Sequence, residues 1–177
     1  MGLLKLQKLS DHERQGCNVQ IEAISSVAEE IASLSVRNYA ETGIDPSHGY
    51  NPNWSQYLSY ELTDSCVVVT LRYKGTLVGY CIYLIGPFKH NKEILYADLD
   101  VIWISPAFRS GFNAMKMIKL GEKQLEGRVS FVMATSSNKH PIDTLLIRLH
   151  YQEIEVLYWK VLENGSQEST SSSGQSG

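Results

Sequence analysis

Cysteine is scarce: three residues, Cys17, Cys66 and Cys81, stand far apart in the chain. So sparse and odd a set excludes a disulfide framework and fits a reducing compartment, with thiols buried in the apolar runs around Cys66 and Cys81. No Cys/His cluster has zinc-ligand spacing, so no metal site is expected. A basic surplus is also missing. The 16 Lys and Arg stand against 19 Asp and Glu, a net charge of −3, whereas a dedicated nucleic-acid binder carries excess positive charge. Long apolar runs are absent as well. The opening MGLLKLQKLS is broken by Lys5 and Lys8, too short for a signal-peptide core and too charged for a membrane span. Leu6 stands where a myristoylation signal takes Ser or Thr. The expectation is a cytoplasmic protein with no membrane partner and no clear nucleic-acid signature.

What is present is an ordinary globular composition, 177 residues with 43% hydrophobic and 20% charged. That length supports one domain with a core. Ile24, Val27, Ala28, Ile31 and Leu34 recur at helical spacing within 21–39, opposite Glu29 and Glu30. A Gly/Pro-rich loop follows at 43–53, then a short helix at 54–62. CVVVTLRY and TLVGYCIYLI flank Lys74-Gly75 and predict an antiparallel hairpin. A third strand is expected over 94–104, a helix over 111–126 closed by Gly127, and a covered strand over 129–134. Pro141 opens a helix to 149, and YQEIEVLYWKVL predicts a last strand over 151–162. From Glu163 the chain is Ser/Gly-rich with no apolar residue, and disorder is expected. The strand–helix–strand unit at 94–134 requires a parallel pair with a right-handed crossover.

Two stretches carry chemistry. The turn Arg109-Ser110-Gly111 leads into a helix, whose first amides lack internal partners and attract anions. It reads either as a connector capped by Ser110 or as a phosphate cradle to which Arg109 adds charge. In the strand LYADLDVIWI, Asp98 and Asp100 share a face, with Leu99, Val101 and Trp103 expected on the other. Two carboxylates in one cleft repel, which raises one pKa and suits a general base. At an exposed sheet edge the same pair would be bland. His48, His90 and His140 lie in loops and read as solvated. Tyr50, Trp54 and Tyr57 either line an acceptor site or pack helices, and Trp103 and Trp159 read as core.

The element order and these residues resemble the GCN5-related N-acetyltransferase (GNAT) superfamily over 21–162. Its turn motif, P-x-x-R-x-x-G-x-G/A, is similar to Pro106-Ala107-Phe108-Arg109-Ser110-Gly111-Phe112-Asn113-Ala114, with Phe112 at the middle glycine. Asn138 stands at the family's asparagine. The later Y-x-K-x-G-F is met by Leu146-Ile147-Arg148-Leu149-His150-Tyr151, where Leu146 replaces tyrosine and His150 glycine. Gly79-Tyr80, His90 and A-x-x-D at 97–100 look most like GNAT-like proteins of tailed phages, some of them internal virion proteins.

The resemblance implies a mixed α/β (α+β), mostly antiparallel sheet flanked by helices, with the parallel unit at its centre. It implies acetyl-CoA as cofactor, its pyrophosphate at Arg109, Ser110, Gly111, Phe112, Asn113 and Ala114. Its pantetheine would lie on the main chain of Val101, Trp103 and Ile104, with Asn138 bonding pantetheine or holding the next helix. Asp100, or Asp98, would be the base toward an amine acceptor on a host protein or small molecule. Leu146 cannot protonate the leaving thiolate, so Tyr151, Tyr83 or His90 substitutes, the thiolate leaves unassisted, or transfer is lost. The domains expected are an N-terminal segment 1–20, the GNAT-like domain 21–162 and a tail 163–177. An N-acetyltransferase competes with a catalytically reduced virion-associated, structural or host-inhibitory binding protein. An oligomer is compatible with either.

Overall fold

A computed structural model describes residues 16–43, 49–109 and 111–160. Ser110, His48, the tail from Glu163 and the first fifteen positions lie outside the described residues. In chain order the elements are β1 (Cys17–Ile21), α1 (Ile24–Thr42), α2 (Trp54–Leu62), β2 (Cys66–Tyr73), β3 (Thr76–Phe88), β4 (Asn91–Ile104), a 3-10 turn (Pro106–Phe108), α3 (Gly111–Leu125), β5 (Phe131–Ala134) and α4 (Asp143–Arg148). The five strands form one sheet in the order β1-β2-β3-β4-β5. All pairs are antiparallel except β4 and β5. The mixed, mostly antiparallel sheet expected is therefore present, with its parallel pair at the β5 end rather than at the centre.

Local chemistry explains most elements. Lys74 and Gly75 both take positive φ, 50° and 85°, the conformation of a two-residue hairpin turn. Asn53 caps α2 by accepting from the Gln56 amide at 3.2 Å. α1 has no side-chain cap of its own. Instead Glu61 on α2 accepts from the Ser25 amide at 2.8 Å and the Ser25 hydroxyl at 2.6 Å. These two donors hold the Glu61 carboxyl below its ordinary pKa.

The sheet separates two cores. On one face Ile24, Val27 and Ile31 of α1 pack with Val68, Tyr80, Ile82 and Trp103. On the other, Met117, Ile118 and Leu125 of α3 and Leu146 of α4 pack with Val69, Cys81, Tyr83 and Leu99. Gly121 lets α3 approach β3, since a Cβ there would collide with the buried Tyr83 ring. The three thiols are free, and burial pushes Cys66 up to about 12.

Two regions differ from the sequence expectation. β1 begins inside the segment 1–20 set apart above, crosses its boundary, and pairs with β2 from Cys17 to Ile21. Of the strand expected over 151–162, residues 151–160 have no regular structure, and 161–162 lie outside the described residues. Trp159, read as core, is 55% exposed. An alternating pattern makes a strand only where an edge receives it, so propensity alone does not decide.

Candidate active site

β4 changes character at Asp100. Its register with β3 runs Tyr83↔Leu99 and then Ile82↔Val101, so Asp100 is an extra residue, a β-bulge. The bulge reverses the alternation of side chains beyond it. Ala97 and Leu99 face α3, but so do Ile102 and Ile104. Val101 and Trp103 turn to the α1 side. This corrects the expectation that Val101 and Trp103 lie opposite Asp100: the inserted residue puts them on the same face.

The bulge also marks the end of the parallel pair. β5 meets β4 only from Tyr96↔Phe131 to Leu99↔Ala134. From Asp100 to Ile104 the described residues offer β4 no partner on that side. The backbone N–H and C=O groups that point away from β3 there face an opening, just before the turn into α3. Such an opening beyond the carboxyl ends of parallel strands is where α/β sheets admit ligands.

On the α1 side the bulge closes a cleft of about 210 Å³. Asp100 and Val101 form its floor, and Asn38, Tyr50, Tyr57 and Tyr80 form its walls. The Tyr57 hydroxyl donates to Asp100 Oδ2 at 2.7 Å. Burial first, and then that bond, push the Tyr57 phenol above its ordinary pKa. Trp54 packs on the Tyr57 ring with centroids 5.7 Å apart. Asn38 Nδ2 donates to the Tyr80 hydroxyl at 3.3 Å. Asp98 lies on the same face, and burial followed by the Asp100 charge raises its pKa.

The expected cradle residues divide. Arg109 Nε donates to the Ile104 carbonyl at 2.7 Å, and its guanidinium lies 5.8 Å from the Trp103 ring centroid. Its Nη2 is ion-paired with Glu41 at the end of α1. The Trp103 indole donates to the same carboxylate at 3.3 Å. Arg109 thus clamps α1 to the end of β4, with its charge matched by Glu41. Asn113 is buried, and its Nδ2 donates to the Phe108 carbonyl at 3.0 Å, bracing the turn. Ala114 packs toward the α3-side core. Phe112 is 71% exposed, so its ring neither enters the core nor fills the space under the first turn. Asn138 is exposed. Next to it Lys139 Nζ donates to the Gly43 carbonyl at 2.5 Å, tying this loop to the end of α1.

The possible proton donors are turned elsewhere. Leu146 is a core residue. Tyr83 is buried against α3, its hydroxyl 3.4 Å from the Ile118 carbonyl. Tyr151 donates to Glu122 on α3 at 2.8 Å. His90 sits in the β3–β4 turn against Phe88, at the opposite end of β4 from Ile104. His150, which replaces the family's glycine, has φ of 67°. That left-handed position closes α4, with the Tyr151 amide donating to the Leu146 carbonyl at 3.0 Å. Glu41 and Asn38 escaped the sequence reading, and Tyr80 entered it only through the Gly79-Tyr80 resemblance, because nothing local marks a helix-end glutamate or a strand tyrosine as part of a cleft. A second depression of about 330 Å³ lies by the 63–65 turn. Its Arg128 is bonded to the Asp64 carbonyl at 2.6 Å and carboxylate at 3.0 Å.

No family model matches the chain, and no curated protein matches it. Solved structures do. A ribosomal-protein-alanine N-acetyltransferase from Brucella melitensis biovar Abortus 2308 aligns with TM-score 0.57 and 16% identity, covering 84% of this chain and 99% of that one. A "predicted acetyltransferase with acetyl-CoA" from Clostridium acetobutylicum gives 0.61 and 13%, covering 83% and 96%. An aminoglycoside acetyltransferase from an uncultured soil metagenomic sample, in complex with sisomicin, gives 0.63 and 10%, covering 84% and 98%. The chain has the GNAT fold.

Proposed function

We propose that the protein transfers an acetyl group from acetyl-CoA to an amine. The observation that carries this reading is the end of β4: bulged at Asp100, paired on one edge only as far as Ile104, and leading directly into the first turn of α3. Acetyl-CoA supplies an activated acetyl thioester whose thiolate is a fair leaving group. The backbone groups between Val101 and Ile104 that point away from β3, apart from the Ile104 carbonyl already taken by Arg109, would hold its pantetheine arm by strand-like hydrogen bonds. The first amides of α3, from Gly111 to Ala114, would hold its phosphates. Arg109 supports that turn from behind, and Phe112 stands at its rim.

The acceptor enters the cleft on the α1 side. Asp100 receives the proton that the amine nitrogen loses as nitrogen bonds to the acetyl carbon and the carbon–sulfur bond breaks. Tyr57 keeps the Asp100 carboxylate in one orientation, so its other oxygen points at the acceptor. Asp98 adds a second acidic group on the same face and favours a cationic acceptor. The thiolate takes its proton from solvent, because Leu146, Tyr83 and Tyr151 offer none.

Acetyl-CoA at a hundred times its Kd should raise Tm by about 5–10 °C, the effect of a ligand that binds only the folded state. Phe112→Glu sets a negative charge beside the first turn of α3 and should cut that shift by more than half. An unchanged shift in the variant would refute the phosphate placement, and none in the wild type would refute cofactor binding.

One observation favours a second reading, a binding protein that keeps the fold without transfer: no tyrosine hydroxyl stands where Leu146 is. A phage source and a virion or host target for it rest on the sequence resemblance. Acetyl-CoA binding without acetyl transfer to any protein or small amine in a lysate, read by mass spectrometry, would select it.

A further inference from the structure

The face of the sheet that bears Asp98 and Asp100 continues beyond the helices that cover it. Tyr96 precedes Asp98 by two positions and shares its face, while Ala97 and Leu99 turn to α3. Phe131 is the register partner of Tyr96, and Val132 and Ala134 turn to α3. The Tyr96 and Phe131 rings stack with centroids 5.6 Å apart. Phe88 meets them edge-on at 5.8 and 5.2 Å. The core under α1 and α2 reaches Leu84 and Val101 but includes none of these rings. They form an aromatic platform on a stretch of sheet that none of the described helices covers, and Phe131 is 36% exposed.

Charge runs along this stretch with a fixed direction. Asp98 and Asp100 stand at the cleft end. Lys89, His90 and Lys92 stand at the β3–β4 turn beyond the rings, all exposed. Four strand positions separate Tyr96 from Asp100, about 13 Å. An extended peptide covers that span in about four residues. A molecule with amines at both ends would set its second cation against the lysines.

We infer that the platform is the far half of the acceptor site, and that the acceptor is a peptide amino terminus with an aromatic residue at its fourth position. This rests on the amine-acceptor reading above and specifies which amine. The terminal ammonium is drawn to Asp98 and Asp100, the peptide lies along β4, and the fourth side chain rests on Tyr96, Phe131 and Phe88. The two lysines exclude polyamines from the same course.

The test is a calorimetric titration of the whole protein, without acetyl-CoA, by two free-amine hexapeptides that differ only in Phe or Asn at position four. About tenfold tighter binding of the Phe peptide is expected, the gain from partly burying one aromatic ring. Phe131→Ser and Phe88→Ser should each reduce that preference to within about twofold. Equal affinity of the two peptides overturns the inference, as does a preference that survives both substitutions. Spermidine binding as tightly as the Phe peptide overturns it too. A benzophenone at position four should photolabel residues 86–98 or 131–133. Labelling of the exposed 152–160 segment instead, or wild-type dimers whose dissociation by Trp159→Asp is needed before peptide binds, would show that the chain itself covers the rings. Because these readings need no transfer, a failed acetylation assay leaves them intact. An acetyl-CoA thermal shift without any peptide preference removes this inference alone.

Discussion

Tyr80 and Tyr83 stand three positions apart on β3, both buried, and on opposite faces of the sheet. Tyr83 is closed in. Its ring lies against Gly121 of α3, and its hydroxyl donates to the Ile118 carbonyl at 3.4 Å. Tyr80 borders open space: its hydroxyl accepts from Asn38 at the wall of the cleft floored by Asp100. One face of the sheet is closed around Tyr83, and the depression of about 330 Å³ by the 63–65 turn lies away from that ring. The other carries carboxylates, phenols and an uncovered platform. Binding chemistry needs groups that are positioned at open space, and the Asp100 cleft provides them on the second face.

Four substitutions test that contrast. On the open face, Asp100→Asn should lower kcat/KM for acetyl transfer by at least about a hundredfold, the low end of what a general base contributes. Asp100 is exposed, so Tm should stay within about 2 °C of wild type. A large loss of Tm would show that the carboxylate serves the fold.

On the closed face, Gly121→Ala should destabilise by about 3 kcal/mol, because the Tyr83 ring has nowhere to go. Denaturant unfolding measures it. A change under about 0.5 kcal/mol would mean that α3 can ride up and the face is not tightly packed.

A third site lies at the edge of the open face. Arg72 on β2 pairs with Glu22 at 2.7 Å and with Glu30 of α1 at 2.7 Å. The Thr70 hydroxyl also donates to Glu22. The Arg72 guanidinium, offset by burial and helped by Thr70, holds the Glu22 carboxyl down to about 2. A carboxyl with a depressed pKa stabilises the fold above its unfolded pKa near 4.3. That stability is lost as pH falls from about 4 toward 2. Glu22→Gln should therefore cost about 2 kcal/mol at pH 7 and less at pH 3, with partial exposure keeping the figure modest. Equal losses at both pH values would assign the effect to packing.

The smallest effect is expected for Tyr57→Phe. Losing the donor to Asp100 loosens one carboxylate without removing it, and kcat/KM should fall about fivefold, near 1 kcal/mol. The loss should be absent in an Asp100→Asn background, where the oriented base is already gone. Additive losses would place Tyr57 in direct contact with the acceptor.

Much of the frame was legible in the residues. The helical period of Ile24, Val27 and Ile31, the Lys74-Gly75 hairpin and the parallel unit read over 94–134 all follow from local rules, and all appear. β1 was missed because CNVQI is short and weakly patterned, and gains its place only by pairing with Leu71 and its neighbours. The error over 151–162 is the reverse case, a good pattern without a ladder partner among the described residues. Asp98, Asp100 and the turn into α3 could be singled out from sequence. The cleft around Asp100 could not, because Asn38, Tyr57 and Tyr80 come from three separate elements.

By itself the sequence determined the helices and the strands of the central hairpin and parallel unit, where the chain reverses at Lys74-Gly75, and that two aspartates precede a turn suited to phosphate. Those properties depend on neighbours within a few positions. Only the tertiary structure decided that Asp100 bulges, that Val101 and Trp103 therefore turn toward α1, and that Arg109 is bound to a glutamate 68 positions away. A bulge is a mismatch between two strands and an ion pair a meeting of two distant segments. Neither exists until the chain has closed on itself.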